Sequence, residues 1–299
     1  MESARTTRLH SRRRAGDFGV GTTLPRLLYG VVPAAYHHPS SVPDNASFSM
    51  LSLKNSHVLV TGTRGIALSI AHVFAAADAK VTLLGRRPQG LDTAVQSLRR
   101  RYPTSTIHAV LGDVKLTKTW DDLDKQLSSA LGTTSDGKRS SVDILINAAG
   151  IAQNSLLIST TSEAISDILD TNLVATALAC KWFGKHVLRR GNKVLEDPKL
   201  SPVIVNISSL LASHGGRGAS LYAASKAGVL ALTRALAAEY GPKGIRVNSI
   251  VPGYIDTDMT QGKIQGNLIW IRLRLLYMGC SSVRSCPPNA GDRKMVIKC

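Results

Sequence analysis

His57-Val58-Leu59-Val60-Thr61-Gly62-Thr63-Arg64-Gly65-Ile66-Ala67 passes from a short β-branched apolar run, through a glycine turn, into residues with helical spacing. The run His57 to Val60 predicts a buried strand. Ile66, Ile70, Val73, Phe74 and Ala77 fall on one face at the helical period and predict a helix over 65–77. The order strand, glycine turn, helix has a chemical meaning. Amides at a helix N-terminus attract anions, and glycine lets the backbone approach a diphosphate closely. A glycine pair alone marks many plain turns, so its place directly after a strand is what makes it a phosphate cradle.

Outward from this unit the same alternation repeats. Strands are predicted at His57 to Val60, Lys80 to Leu84, Thr106 to Val110, Val142 to Ile146, Val203 to Ile207 and Ile245 to Ile250. Helices are predicted near 65–77, 89–101, 118–131, 162–189 and 219–240, and 132–141 reads as a polar loop. Strands joined by helical crossovers make an α/β fold, a doubly wound parallel sheet in a single domain. Such sheets bind ligands outside the carboxyl ends of their strands.

The 299 residues are 43% hydrophobic and 19% charged, enough to bury a full core. No apolar run approaches the length of a membrane span. Cys180, Cys280, Cys286 and Cys299 show neither metal-ligand spacing nor the density of a disulfide scaffold, so no metal site is expected. The net charge of +17 is uneven: residues 1–53 hold six Arg against three acids, and residues 260–299 hold seven Lys or Arg against Asp292. The span between them is only moderately basic, which suits an enzyme for anionic ligands and argues against nucleic acid as the partner.

At the end of the second predicted strand stand Gly85, Arg86 and Arg87, where a site for an unphosphorylated dinucleotide usually places an acid. Arg64 and Arg86 can instead pair with a 2′-phosphate, which points to NADP(H), or remain solvated surface arginines. Asp113, past the third strand, either accepts a hydrogen bond from adenine or caps the next turn. Tyr222 and Lys226 lie four residues apart and so share a helix face. A nearby ammonium favours a phenolate, which predicts a lowered Tyr222 pKa and a phenol able to pass a proton to a carbonyl. Asn206-Ile207-Ser208-Ser209 offers a hydroxyl at the end of the fifth strand, and Asn147-Ala148-Ala149-Gly150 follows the fourth. Thr171-Asn172-Leu173 lies in the long helix after it.

These motifs, in this order with Pro252-Gly253, make the chain resemble the short-chain dehydrogenase/reductase family over residues 54–259. The resemblance implies a Rossmann-like sheet and carbonyl reduction by hydride transfer. It implies that Tyr222 is the catalytic acid/base, that Lys226 assists it and binds the nicotinamide ribose, that Ser209 polarises the carbonyl and that Asn172 holds a water in a proton relay. Ser208 is then the structural serine. The cofactor set is Gly62, Arg64, Gly65, Ile66, Arg86, Asp113, Asn147, Ala148, Gly150, Tyr222, Lys226, Pro252, Gly253, Ile255 and Thr257, the last two fixing the carboxamide. Alternatives are a satisfied helix asparagine at 172 and a turn cap at Thr257.

Gly150-Ile151, Leu156-Leu157, Thr171-Asn172-Leu173, Ser225-Lys226-Ala227-Gly228 and Thr257-Asp258-Met259 resemble most the 3-oxoacyl-[acyl-carrier-protein] reductases of fatty-acid synthesis. That implies an acyl carrier protein as partner, with Lys199 and Lys243 as docking charges or ordinary solvated ones. A reductase of another ketone or alcohol, and a catalytically weak nucleotide- or partner-binding relative, are the other readings.

Two departures bear on activity. The family turn has three residues between its first glycines; here only Thr63 and Arg64 separate Gly62 from Gly65, with Ala67 at the last glycine position. Weaker cofactor binding is expected. After Met259 the family's lid, last helix and Val-Asp-Gly-Gly string are not recognisable. Six strands with the usual seventh missing, an open sixth strand and a compromised homo-oligomer interface are therefore expected. Residues 260–299 read as an atypical basic tail. Residues 1–53, rich in Arg and poor in acid, read as a disordered or transit-peptide-like extension and point to the mitochondrial matrix, with the cytoplasm as the alternative.

Overall fold

A computed structural model describes residues 53, 54, 56–131, 141–189, 201–255, 257, 259 and the backbone of 274–276. The expectations for nearly all of 1–53 and of 260–299, with Lys199, Asp258, Cys280, Cys286 and Cys299, lie outside the described residues. Six parallel strands form the sheet: β1 (His57–Thr61), β2 (Lys80–Gly85), β3 (Ile107–Leu111), β4 (Ile144–Asn147), β5 (Val203–Ile207) and β6 (Arg246–Val251). Their order, β3-β2-β1-β4-β5-β6, reverses direction between β1 and β4. A doubly wound sheet opens its ligand crevice at such a reversal.

The strands are short and rich in Val, Ile and Leu, as strands covered on both faces are. Alternation divides their side chains between two cores. Val58, Val60, Val81, Leu83 and Ile146 pack under α1 (Gly65–Ala76) and α2 (Pro88–Arg101). Leu59, Leu145, Ile204 and Val247 pack with Trp120, Trp182 and Phe183 on the opposite face. That face is covered by α3 (Thr117–Leu131), α4 (Ser162–Leu169), α5 (Ala175–Leu188) and, after the short α6 (Leu211–His214), α7 (Ser220–Tyr240).

Register sets the site. Thr61 stands opposite both Leu84 and Asn147, Asn147 opposite Asn206, and Asn206 opposite Ser249. A polar row thus crosses the carboxyl ends of four strands, and every loop leaving it emerges at one edge.

Three expectations are corrected. The inner stripe of α1 is Ala67, Ala71 and Ala75, whereas Val73 is 53% exposed. Alanines let the helix settle close to the sheet, and the larger Ile70 and Phe74 flank the contact, only partly buried. The single helix expected over 162–189 is interrupted by one π turn at Asp170–Val174, between α4 and α5. The edge of β6 is not left open: β7 (Arg274–Leu276) runs antiparallel beside it and pairs with Ser249, Ile250 and Val251. These three residues satisfy part of an edge that would otherwise expose backbone donors and acceptors.

Candidate active site

β5 and α7 deliver the chemical groups. Ser208 and Ser209 follow β5 directly, and the Ser208 amide donates to Ile250 O at 2.8 Å, which ties this corner to β6. The Ser208 hydroxyl turns inward and donates to Lys226 O at 2.8 Å, leaving Ser209 for the cleft. The Ser209 oxygen accepts from the Leu211 amide at 3.2 Å, and its side chain shares the cleft with the Tyr222 phenol, near enough to favour the phenolate. One helical turn beyond Tyr222, Lys226 is 5% exposed. Its ammonium donates to Ile207 O at 2.9 Å and stands 5.8 Å from the centroid of the Tyr222 ring.

Burial governs the titration of both groups. It pulls Lys226 down to about 8 and raises Tyr222 above the ordinary phenol value, with the nearby Ser209 hydroxyl opposing the rise. The expected lowering of the Tyr222 pKa is thus corrected. Desolvation of the phenolate outweighs the stabilisation of its charge, and the protein holds a protonated phenol.

The π turn places Asn172. Gly228 allows the two helices to approach, since a Cβ there would meet Leu173 Cδ2 at 2.8 Å. Asn172 is fully buried; its Oδ1 accepts from Ile151 N at 2.8 Å, and its Nδ2 donates to Ile151 O and to Ser225 Oγ, each at 3.0 Å. Ser225 Oγ in turn donates to Tyr222 O at 2.7 Å. Asn172 therefore clamps the loop after β4 onto the helix that carries Tyr222. π turns inside α-helices are frequent at functional sites.

The glycine turn lies beside these groups. Gly62 and Gly65 have φ of 101° and 52°, backbone that side chains other than glycine rarely adopt. A Cβ at Gly65 would meet Thr257 Cγ2 at 3.3 Å, so the turn and the segment after Pro252 converge. Arg64 supplies no side-chain cap to α1, and no acid stands in its first turn, so the helix start with Ile66 suits an anionic group. Arg86 is paired with Asp113 at 3.8 Å, and Asp113 Oδ1 also accepts from the Lys115 amide, so Asp113 does cap a turn.

Thr61 Oγ1 accepts from the amides of Ala148 and Ala149, each at 3.1 Å, which fixes the loop after β4 against the turn. Asn147 differs from the rest of the predicted set. Its Nδ2 donates to Asn206 Oδ1 at 2.9 Å and to Cys180 Sγ, so its side chain serves the interior. Gly150 packs against Asn172 and Lys226, because a Cβ there would lie 3.1 Å from Asn172 Oδ1 and 3.5 Å from Lys226 Nζ. Pro252, Gly253 and Ile255 follow β6, where Pro252 O accepts from Leu210 N at 2.8 Å.

Ser209 and Tyr222 open into a cleft of about 520 Å³, walled by Leu156, Leu211, Tyr254 and Met259, with Gln153 and Arg217 as polar members. Among the described residues no cluster of metal-ligating side chains occurs, and no helix is long and apolar enough to cross a membrane. Sequence reading assigned no role to Thr61, Gln153 or Asn206, which bond to Ala149, Leu221 and Thr233 across 88, 68 and 27 positions.

Residues 56–267 match the family model of the short chain dehydrogenases. The 3-oxoacyl-[acyl-carrier-protein] reductase of Chlamydia muridarum is 35% identical over 211 residues, covering 70% of this chain and 78% of its own. Carbonyl reductase family member 4 of Danio rerio is 33% identical, covering 69% of this chain and 77% of its own. A solved structure assigned provisionally as an NAD(P)-dependent gluconate 5-dehydrogenase, from Beutenbergia cavernae, contains NADP at low occupancy. It aligns with a TM-score of 0.59 at 32% identity, over 70% of this chain and 76% of that one. With matches of this length carrying the same fold, the chain belongs to the short chain dehydrogenase family.

Proposed function

We propose that the chain is an NADPH-dependent reductase that converts a ketone to a secondary alcohol, its substrate a 3-oxoacyl thioester carried on acyl carrier protein. The observation that carries this reading is the meeting of Ser209 and Tyr222 in one cleft, with the buried Lys226 ammonium 5.8 Å from the centroid of the Tyr222 ring. The similarity to 3-oxoacyl-[acyl-carrier-protein] reductases supports the substrate class.

When bound, NADPH supplies the hydride. Amides of Gly62, Gly65 and Ile66 hold the diphosphate, and Arg64 and Arg86 take the 2′-phosphate. Asp113, whose Oδ1 already caps the turn at Lys115, would offer its other oxygen to the adenine once Arg86 turns to the phosphate. Ala148 and Gly150, with Asn147 behind them, would help to hold the cofactor. Pro252 and Gly253 shape the segment in which Ile255 and Thr257 fix the carboxamide. The carbonyl oxygen of the substrate accepts from Ser209 Oγ and from Tyr222 Oη, which polarises it. Tyr222 then gives its proton to that oxygen as it becomes an alkoxide. The raised phenol pKa keeps the proton on Tyr222 until negative charge develops beside it. Lys226 positions the ribose hydroxyls and, with its pKa near 8, is a nearby group that can return a proton. Asn172 keeps the loop and helix in register around this relay.

NADPH consumption with an acetoacetyl thioester tests the proposal. Turnover supports it. Turnover with other ketones alone transfers the activity to a different substrate class, and NADPH binding without turnover on any ketone favours a catalytically weak relative. The short glycine turn is the observation behind that last reading. The Arg-rich, acid-poor segment 1–53 supports placing the activity in the mitochondrial matrix.

A further inference from the structure

Gln153 lies in the loop after β4, is 5% exposed and lines the cleft. Helix α7 begins at Ser220, and its N-cap, Ala219, has no side chain that could receive the first amides. Gln153 receives them from across the cleft: its Oε1 accepts from Leu221 N at 2.8 Å and, more weakly, from Tyr222 N at 3.5 Å. Its Nε2 donates to Ser155 O at 2.8 Å and to Ser220 Oγ at 3.4 Å. Two residues earlier, Asn172 grips Ile151 and passes through Ser225 to Tyr222 O. The turn that carries Tyr222 is therefore held on its amide side by Gln153 and on its carbonyl side by Asn172.

We infer that Gln153 is a positioning residue: acting as a helix cap supplied by the loop that lines the cleft, it sets where the Tyr222 phenol stands against Ser209. An amide suits the place because it accepts from the helix and donates to Ser155 O at once. The effect on rate arises because small displacements of a reacting group are costly. The inference rests on the proposed role of Tyr222 as proton donor.

The test compares Gln153→Leu and Gln153→Glu with wild type, using NADPH and the acetoacetyl thioester. Gln153→Leu lowers kcat by about tenfold or more, while KM and the NADPH dissociation constant stay within about threefold. Gln153→Glu keeps the acceptor for the helix amides but loses the donor to Ser155 O, and so recovers part of the lost rate. A second readout needs no turnover: ionisation of Tyr222 is followed as the absorbance difference between each protein and its Tyr222→Phe counterpart. Loss of the Ser209 contact moves the midpoint upward in Gln153→Leu. Should that variant not fold, Gln153→Met, of similar length and unbranched, takes its place with the same expectations.

Unchanged kcat with an unchanged midpoint overturns the inference, as does a fall in kcat that Gln153→Glu does not relieve. A wild type that reduces no ketone refutes the proposed reaction instead, and the titration then decides the inference alone.

Discussion

The Thr63 methyl packs directly on Gly85, at 2.5 Å from the position a Cβ there would take, so the shortened glycine turn docks on the end of β2. In a doubly wound sheet that strand end faces the adenosine half of a dinucleotide. One residue fewer between Gly62 and Gly65 thus draws a side chain toward ground the cofactor needs, while Thr257 closes on Gly65 from the other side. Inserting one alanine between Gly62 and Thr63 is expected to tighten NADPH binding about fivefold or more, roughly 1 kcal/mol. Calorimetric titration measures it, and an unchanged or weaker affinity shows that the turn length is not limiting.

Arg86 is half-exposed and meets Asp113 only at 3.8 Å. An exposed pair of this kind is worth at most about 1 kcal/mol, so the guanidinium can leave it for a phosphate. Arg86→Ala should reduce the preference for NADPH over NADH by about tenfold or more, read as the ratio of kcat/KM values. Equal losses with both cofactors would show that Arg86 does not read the 2′-phosphate.

Asn206 is fully buried and joins three elements: Oδ1 accepts from Asn147 Nδ2, and Nδ2 donates to Thr233 Oγ1 at 3.0 Å. Asn206→Ala leaves buried polar groups without partners and should cost about 2–4 kcal/mol, measured by urea unfolding. A loss below about 1 kcal/mol would mean that this network is not a main support of the strand ends.

The contrast between Asn206 and Tyr222 shows what could be read from the chain. The six parallel strands were legible to within two residues because β-branched runs alternate with helical spacing, while β7 was not. Tyr222 and Lys226 were legible because they lie one helical turn apart within an ordered set of motifs that resembles a known family. Polar networks were not, since Asn206, Gln153 and Thr61 find partners far away in sequence and nothing local marks them. The sign of the Tyr222 shift was also out of reach: it depends on how much water the fold removes, whereas sequence shows only the nearby charge. The three alanines of α1 were passed over for larger neighbours because spacing reports a face without reporting how close the helix comes to the sheet.

His57 predicts a pH dependence of stability. Its ring is 1% exposed, with Nδ1 donating to Ser141 O and Nε2 accepting from Thr82 Oγ1 in the neutral form. Burial lowers its pKa from 6.5 to about 4, against an opposing pull from Asp143. Between these two values the unfolded chain binds the proton and the folded one does not. Stability is therefore whole above pH 6.5 and falls as pH drops toward 4, by about 3 kcal/mol from this residue. His57→Gln should flatten that part of the unfolding profile; an identical slope in the variant would assign the acid sensitivity to other groups.

Tyr222→Phe, assayed with NADPH and an acetoacetyl thioester, tests the central claim most directly. The phenyl ring keeps the packing beside Lys226 and removes only the hydroxyl that meets Ser209. Turnover should fall by about 10²–10⁴, with NADPH affinity within about threefold of wild type. A variant that reduces the thioester at the wild-type rate would contradict the assignment of Tyr222 as the proton donor.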